Sequence, residues 1–292
     1  MGGKIVRAAY PGLALSRPGE WRAPYVFASP HSGREYPTRF VRESVLDLAA
    51  LRRSEDAYVD QLLPDPNLYG VPVLAARFPR AFVDVNRDSR ELDPQMFTAS
   101  AAEGGEIRSS RVAAGFGVIP RLAAEGRSIY AKKLTPADAR ARLRSCYVPY
   151  HEALEALLGE CRERFGFAVL IDWHSMPSAS GHGHALADVV IGDRFGASAD
   201  RGLVDIWDRA FRDVGLTTAL NTPYAGGHVT SQYGRPRDGV HVLQIELNRA
   251  LYLDEGRVAR HMQRFESLRE KLNAAVALAI ESFGFQQAMA AE

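Results

Sequence analysis

The chain has 292 residues, of which 46% are hydrophobic and 24% are charged, as is typical of a soluble globular protein. Its 36 basic and 35 acidic residues give a net charge of +1, and the arginines are spread along the chain. This balance excludes the strongly basic surface that nucleic acid or an anionic membrane would require of a partner.

The same bulk features predict the compartment and the domain organisation. No apolar run approaches ~18 residues, and the first ten residues contain no apolar signal core, so we predict neither secretion nor a membrane span. Cys146 and Cys161 lie about four turns apart on a predicted helix, too far to pair, which fits a reducing compartment. We therefore predict a cytoplasmic protein and, because no repeat or linker divides it, a single domain over residues 1–292.

The first predicted strand, 25–28, runs into a Ser-Pro-His-Ser-Gly turn that contains His31. A polar stretch follows, in which Ser54 can cap a helix whose first turn holds Glu55 and Asp56. The alternative role for these two acids is a favourable interaction with the helix dipole.

Two further strands are predicted at 71–75 and 81–85, and the second leads into Asn86 and Arg87. The planar fork of arginine suits a carboxylate ligand, and asparagine supplies a neutral donor and acceptor beside it. The alternative for Arg87 is a structural ion pair with a neighbouring aspartate.

The middle of the chain is predicted to form a long irregular segment and then a long helix. Residues 87–134 show little hydrophobic periodicity, and a segment of this length is often functional, for example as a lid. Thr135 caps the helix, Pro149 should kink it, and Gly166 ends it. We expect His151 to lie on the surface of this helix.

An apolar run at 168–171 leads into Asp172 and His174. This pattern is typical of a buried strand near its carboxyl end, where α/β sheets bind ligands. Asp172 lies two residues before His174, on the same side of the strand, where an acid can orient a metal-binding imidazole. The alternative is a histidine that only satisfies a loop. His182 and His184 form a second possible metal-binding pair, but a flexible loop is a poor scaffold for one.

The last third of the chain is predicted to contain a short strand, a helix, a strong strand and a final helix, at 189–191, 200–214, 240–247 and from Asp254 onward. Tyr224 lies in the turn-rich loop before the strong strand. Glu246 ends that strand, and burying an unpaired carboxylate there is expensive, so it needs a partner or a function. An ion pair with Arg249 is the structural alternative.

Candidate functional residues thus gather at four predicted strand ends and one helix start: His31, Asn86, Arg87, His174, Glu246 and Asp56. Two histidines and a carboxylate leave an open position on a catalytic zinc, and a further carboxylate can take a proton from water. An arginine can stabilise the oxyanion that forms from an attacked carbonyl. The pattern therefore favours a zinc amidohydrolase, although no compact HExxH motif is present.

These residues resemble the N-formylglutamate amidohydrolase (deformylase) family over most of the chain, from about Tyr25 to the final helix. The resemblance rests on six segments: Ser29–Gly33, Asp56–Asp60, Arg80–Arg87, Asp172–Ser175, Gly226–Thr230 and Gln244–Arg249. The family is similar to the zinc carboxypeptidases and aspartoacylases. The resemblance therefore implies an α/β fold with a mixed central sheet flanked by helices.

The resemblance also implies one zinc ion per chain, and we assign its ligands as His31, His174 and Asp56. Carboxypeptidase-like enzymes have their acidic ligand three residues after the first histidine, but Arg34 stands there. Glu55 and Glu35 are therefore the alternatives to Asp56.

The implied catalytic and substrate-binding residues surround this metal. Glu246 is expected to act as the general base and Arg80 to lie near the scissile carbonyl. Asn86 and Arg87 are expected to hold a carboxylate of the substrate, and Tyr224 is a further candidate for substrate binding.

The reaction that these expectations describe is hydrolysis of the amide bond of an N-formyl or other short N-acyl amino acid. N-formyl-L-glutamate is favoured, which would place the enzyme in histidine degradation. Ser231 stands where the family tends to have an arginine, so recognition of the glutamate side chain is open. One alternative is a carboxypeptidase, which would need an open cleft. The other is a non-catalytic metal-binding relative, which would have no use for a general base such as Glu246. The sequence does not determine the oligomeric state.

Overall fold

The computed structural model describes residues 6–8, 12–101, 108–179 and 186–290. The strands of its main sheet are β1 (Val6–Ala8), β2 (Leu13–Arg17), β3 (Tyr25–Ser29), β4 (Val73–Ala76), β5 (Ala168–Met176), β6 (Val189–Gly192), β7 (Thr218–Leu220) and β8 (Val240–Asn248). Their order across the sheet is β1-β2-β4-β3-β5-β8-β6-β7. A separate hairpin pairs β9 (Leu253–Asp254) with β10 (Ala259–Arg260).

The sheet is mixed, which confirms the predicted fold class. Its centre is parallel, with β4, β3, β5 and β8 running the same way. Towards the edges, β2 is antiparallel to β4 and β6 is antiparallel to β8. The two longest strands, β5 and β8, therefore lie side by side in the middle, with their carboxyl ends at the same edge.

Helices cover both faces of the sheet. They are α1 (Thr38–Glu43), α2 (Leu48–Arg52), α3 (Val59–Leu62), α4 (Pro66–Tyr69), α5 (Ser110–Ala113), α6 (Pro136–Arg142), α7 (Val148–Phe165), α8 (Arg201–Asp213), α9 (His228–Tyr233) and α10 (Met262–Ala290). Helices α8 and α10 pack on one face, in a core cluster with Trp173 and Ile245. Helix α7 and the irregular middle segment pack on the other, with Leu170 and Val242. Across the described ranges, each helix is too short or too polar to cross a lipid bilayer.

The predicted helix from Thr135 to Gly166 is confirmed. The side chain of Thr135 accepts a hydrogen bond from the backbone of Asp138, whose own side chain accepts one from Thr135 in return. Pro149 lacks the backbone N–H that would continue the ladder, and the turn before it, Leu143–Tyr147, widens into a π-helix. Gly166 ends α7 in the left-handed conformation.

The strand predicted at 81–85 is wrong, because these residues form turns and irregular backbone. The backbone N–H groups of Phe82 and Val83 donate to the carbonyl of Pro79, at 2.9 and 3.3 Å, and that of Asp84 donates to Val118 at 2.8 Å. The side chains of Val83 and Val85 are fully buried in the core cluster that includes the irregular segment, and Phe82 packs against it partly buried. The apolar pattern of residues 81–85 therefore indicates burial of these side chains and not pairing in a β-sheet.

Two predicted helix starts are also wrong. Ser54 does not cap α3, which begins after Tyr58; its hydroxyl accepts instead from the backbone of Ala124 at 3.1 Å. The final helix begins at Met262 and not at Asp254, because Asp254 pairs within the β9–β10 hairpin. A tertiary contact thus takes up the hydroxyl of Ser54, whereas the carboxylate of Asp254 accepts from the backbone N–H of Arg257 at 3.2 Å, within the turn of the hairpin.

Candidate active site

A cavity of about 380 Å³ lies at the carboxyl ends of β3, β5 and β8. It falls at the lower end of the ~300–1,000 Å³ typical of small-molecule sites. Every residue that the sequence analysis assigned to the site lines it: His31, Asp56, Arg80, Asn86, Arg87, His174, Tyr224 and Glu246. The dispersed segments of the sequence thus meet in one place.

Strand register places two of these side chains together. His174 on β5 is the partner of Glu246 on β8, and Asp172 is likewise the partner of Gln244. Partners in neighbouring strands point to the same face of the sheet, so these four side chains share one face. Strand β5 continues to Met176, so His174 lies within the strand and not beyond its end.

Two histidines and a carboxylate converge in the cavity. Nδ1 of His174 lies 3.1 Å from Nδ1 of His31 and 3.1 Å from Oδ2 of Asp56. Nδ1 of His31 lies 3.2 Å from the same carboxylate oxygen. All three residues are buried. These separations are close to the edge of roughly 3.3 Å of a zinc tetrahedron with bonds of about 2.0–2.1 Å.

Two further carboxylates orient the imidazole rings. Nε2 of His31 lies 2.8 Å from Oδ1 of Asp84, and Nε2 of His174 lies 2.8 Å from Oδ2 of Asp172. Because a carboxylate only accepts, each Nε2 donates, and in the neutral ring the lone pair is then on Nδ1. Lone pairs of both rings and of Asp56 therefore face one another, an arrangement that suits a cation among them.

The electrostatics of the cluster also favour a positive charge there. Burial by itself raises the pKa of Asp56, but the hydrogen bonds with His174 and His31 hold it well below its usual range. Burial lowers the pKa of His174, but Asp172 and Asp56 outweigh it and raise that pKa well above its usual range. The donor set thus fits a divalent metal ion, and the described residues contain this one group of three candidate ligands.

The two alternative acidic ligands point elsewhere. Glu55 is buried, but its Oε1 accepts from the hydroxyl of Tyr36 at 2.7 Å and from Arg52 at 3.2 Å. Glu35 pairs with the exposed Arg77. Of the three acids that the sequence left open, Asp56 is the one beside the histidines.

Glu246 lies buried in the same cavity. Nε2 of Gln244 donates to its Oε1 at 2.8 Å, and burial raises its pKa to about 7, despite the opposing effect of His174. The structural alternative, a pair with Arg249, is wrong. Nη2 of Arg249 lies 3.1 Å from Oδ1 of Asp56, and its Nε donates to Ser175 at 3.0 Å.

Arg80 and Arg87 form a cationic wall beside Asp84. Nε of Arg80 donates to Oδ2 of Asp84 at 3.0 Å, whereas Nε of Arg87 is 3.8 Å from the same oxygen. The hydrogen bonds of Arg87 go instead to two backbone carbonyls, those of Phe116 at 3.0 Å and Asn86 at 2.9 Å. The ion pair of Arg87 with Asp84, the structural alternative from the sequence, is therefore the longest of these three contacts.

Helix α9 positions Asn86. The backbone N–H of Val229 donates to Oδ1 of Asn86 at 2.8 Å. A Cβ atom at Gly227 would lie 2.3 Å from Nδ2 of Asn86, so only glycine allows this close approach. The Gly-Gly sequence before α9 therefore has a packing role at the site.

The sequence analysis misplaced His151, which is buried and not on the helix surface. Its Nε2 donates to the carbonyl of Val85 at 3.0 Å and its Nδ1 accepts from the hydroxyl of Tyr233 at 2.7 Å. Burial lowers its pKa to about 4. It thereby fixes the backbone just before Asn86. His182 and His184 lie outside the described residues.

Other contributors were not predicted as site residues: Asp84, Gln244, Arg249 and Arg111, all of which line the cavity. The partners of Arg249 lie 74 and 193 residues away along the chain. No local pattern carries such pairings, whereas the two-residue spacing of Gln244 and Glu246 was a usable signal.

The fold and the cavity define an α/β protein with a candidate metal site beside a buried carboxylate and a group of arginines. Residues 23–253 match the model of the family described as N-formylglutamate amidohydrolase, and the chain belongs to that family. The resemblance predicted from the six segments is thereby confirmed.

Individual relatives agree with this placement. The chain is 30% identical to an N-formylglutamate deformylase of Pseudomonas aeruginosa and 29% identical to one of Pseudomonas putida, in each case over 239 residues. These matches cover 80% of this chain and 84% and 83% of the relatives. Among solved structures, an N-formylglutamate amidohydrolase from Ralstonia eutropha JMP134 is 34% identical, with a TM-score of 0.85 over 92% of this chain and 97% of that one.

Proposed function

We propose that this chain hydrolyses the amide bond of N-formyl-L-glutamate, releasing formate and L-glutamate, as the name of its Pseudomonas relatives suggests. The observation that carries the proposal is the meeting of a buried His–Asp–His cluster with the buried Glu246 in one cavity. The reaction would be a step of histidine degradation.

His31, Asp56 and His174 would hold one zinc ion. Bound there, zinc supplies a Lewis acid for the amide carbonyl and for the attacking water. Asp84 and Asp172 keep the two imidazoles in the tautomer that presents Nδ1.

Glu246 would act as the general base. A carboxyl with a pKa of about 7 is partly ionised at neutral pH, so it can accept a proton from water and afterwards give it to the leaving nitrogen. The hydrogen bond from Gln244 holds one of its oxygens and leaves the other for the substrate side.

The remaining residues would bind and orient the substrate. Asn86 and Arg87 would hold the α-carboxylate, Arg80 would face the carbonyl oxygen, and Tyr224 would form the opposite wall. The middle segment supports a short substrate rather than a peptide, because its residues Phe116, Pro120, Leu122 and Ala124 line the cavity.

The test is metal content together with formate release. The purified protein should contain about one zinc per chain and release formate from N-formyl-L-glutamate faster than acetate from N-acetyl-L-glutamate. His174→Ala should lose most of the zinc. His241→Ala is the matched control, because His241 lies on β8 but at its amino end, outside the cavity.

Two results would contradict the proposal. Full zinc retention in His174→Ala would remove His174 from the ligand set. Absence of formate release by the zinc-loaded wild type would remove the deformylase reaction itself.

A further inference from the structure

Among the described residues, one arginine of the cavity differs from the others in having no partner. The cavity-lining arginines are Arg53, Arg80, Arg87, Arg111 and Arg249. Arg53 pairs with Glu125 at 2.6 Å, Arg80 with Asp84 and Arg249 with Asp56, while Arg87 donates to two carbonyls. Within the described part of the chain, the guanidinium of Arg111 makes neither an ion pair nor a hydrogen bond.

The backbone of Arg111 is held beside Arg87. The carbonyl of Arg111 accepts from the N–H of Phe116 at 2.8 Å, and the carbonyl of Phe116 accepts from Nε of Arg87 at 3.0 Å. The turn is anchored at its start by Ser109, whose hydroxyl caps α5 and donates to Glu91 at 2.6 Å. Arg111 is therefore placed at the cavity by a defined chain of contacts.

Among the described residues, the carboxylate held against this turn already has other partners. Glu91 is the nearby acid, but its Oε1 accepts from Ser109 and its Oε2 from the backbone of Asp88 at 3.1 Å. Burial lowers the pKa of Arg87, and Arg80 and Arg111 lower it further, against the opposing effect of Asp84. Positive charge is thus in excess on this wall, and a second anionic group of a ligand would be stabilised there.

We propose that Arg111 binds the side-chain carboxylate of the substrate and so determines the preference for an acidic N-acyl amino acid. The inference rests on the proposed function, in which Asn86 and Arg87 hold the α-carboxylate. A substrate with two carboxylates needs a second cation, and among the described residues Arg111 is the cavity-lining arginine whose guanidinium has no partner.

The experiment compares N-formyl-L-glutamate with N-formyl-L-glutamine, which has nearly the same shape but a neutral side chain. Arg111→Gln should lower kcat/KM for the glutamate substrate by about 10–100-fold, the scale of one hydrogen-bonded charge pair, and mainly through KM. Activity on the glutamine substrate should change little. Arg111→Lys should keep part of the preference, because it retains the charge but not the fork.

Arg108→Gln is the matched control. It removes the same charge from the same exposed segment, three residues away, but Arg108 does not line the cavity. It should leave the preference for glutamate over glutamine as in the wild type.

Each contrary result points to a different failure. Equal losses on both substrates in Arg111→Gln, or the same loss of preference in Arg108→Gln, would overturn the role of Arg111. A wild type that hydrolyses both substrates equally well would also overturn it but would leave the deformylase reaction standing. A wild type that hydrolyses neither would overturn the proposed function and this inference together.

Discussion

The two faces of the β5–β8 strand pair differ in function, because one packs in the hydrophobic core and the other carries the residues of the site. On one face, Ile171, Trp173, Leu243, Ile245 and Leu247 are fully buried in the core cluster that includes α8 and α10. On the other, Asp172, His174, Gln244 and Glu246 form a polar layer that includes the site. Successive side chains of a strand alternate between faces, so one register aligns both sets. Packing of the apolar side chains fixes the register of the two strands, and this register also sets the positions of the polar side chains.

The face that carries the site changes character along the two strands. Nearer the amino ends it is apolar, with Leu170 and Val242 buried in the core cluster that includes α7. Its polar residues begin at Asp172 on β5 and at Gln244 on β8. The buried polar side chains are paired within their own strand, Asp172 with His174 and Gln244 with Glu246, each at 2.8 Å. Such pairing reduces the cost of burying them next to a hydrophobic core.

The largest expected effect comes from the polar face alone. Glu246→Gln keeps the shape of the side chain but removes the base, so kcat should fall by about 10²–10⁴-fold. Zinc content and the midpoint of urea unfolding should stay as in the wild type, which separates lost chemistry from lost structure. If kcat stayed within a few-fold of the wild type, Glu246 would have to be regarded as structural.

The neighbouring residue on the apolar face should behave in the opposite way. Ile245→Ala leaves a cavity in the core cluster, so the free energy of unfolding should fall by about 2–5 kcal/mol, while kcat per folded molecule changes little. Ile245→Val, as the conservative control, should cost about 0.5–1.5 kcal/mol. A large loss of kcat in Ile245→Ala without loss of stability would show that the faces are not separate.

A smaller effect is expected from Asp172, which lies on the same face as Glu246 but acts on the metal site through His174. Asp172→Asn removes the charge that orients His174, so zinc affinity should fall by about 10–100-fold, measured by competition with a chelator. Ile245→Val, one strand away on the apolar face, should bind zinc as the wild type does. Unchanged affinity in Asp172→Asn would mean that this carboxylate does not support the metal site.

The elements with strong local patterns were predictable. The strands around His174 and Glu246 and the helix after Thr135 carry their own periodicity and caps, and the structure contains all three. The segment 81–85 misled because the middle segment, and not a neighbouring strand, buries its apolar residues. His151 misled because its partners, Val85 and Tyr233, lie far away along the chain.

By itself, the sequence determined which residues could perform the chemistry. Residue types and short spacings, such as the two-residue spacing of Asp172 and His174, indicate a site because they can be read directly from neighbouring positions of the sequence. Only the tertiary structure decided which acid lies beside the histidines, where Arg249 pairs and which cavity arginine has no partner among the described residues. The physical reason is that these pairings join segments that lie tens to hundreds of residues apart in the sequence. The distances between such segments are set by the register of the sheet and by the packing of the irregular segment 87–134.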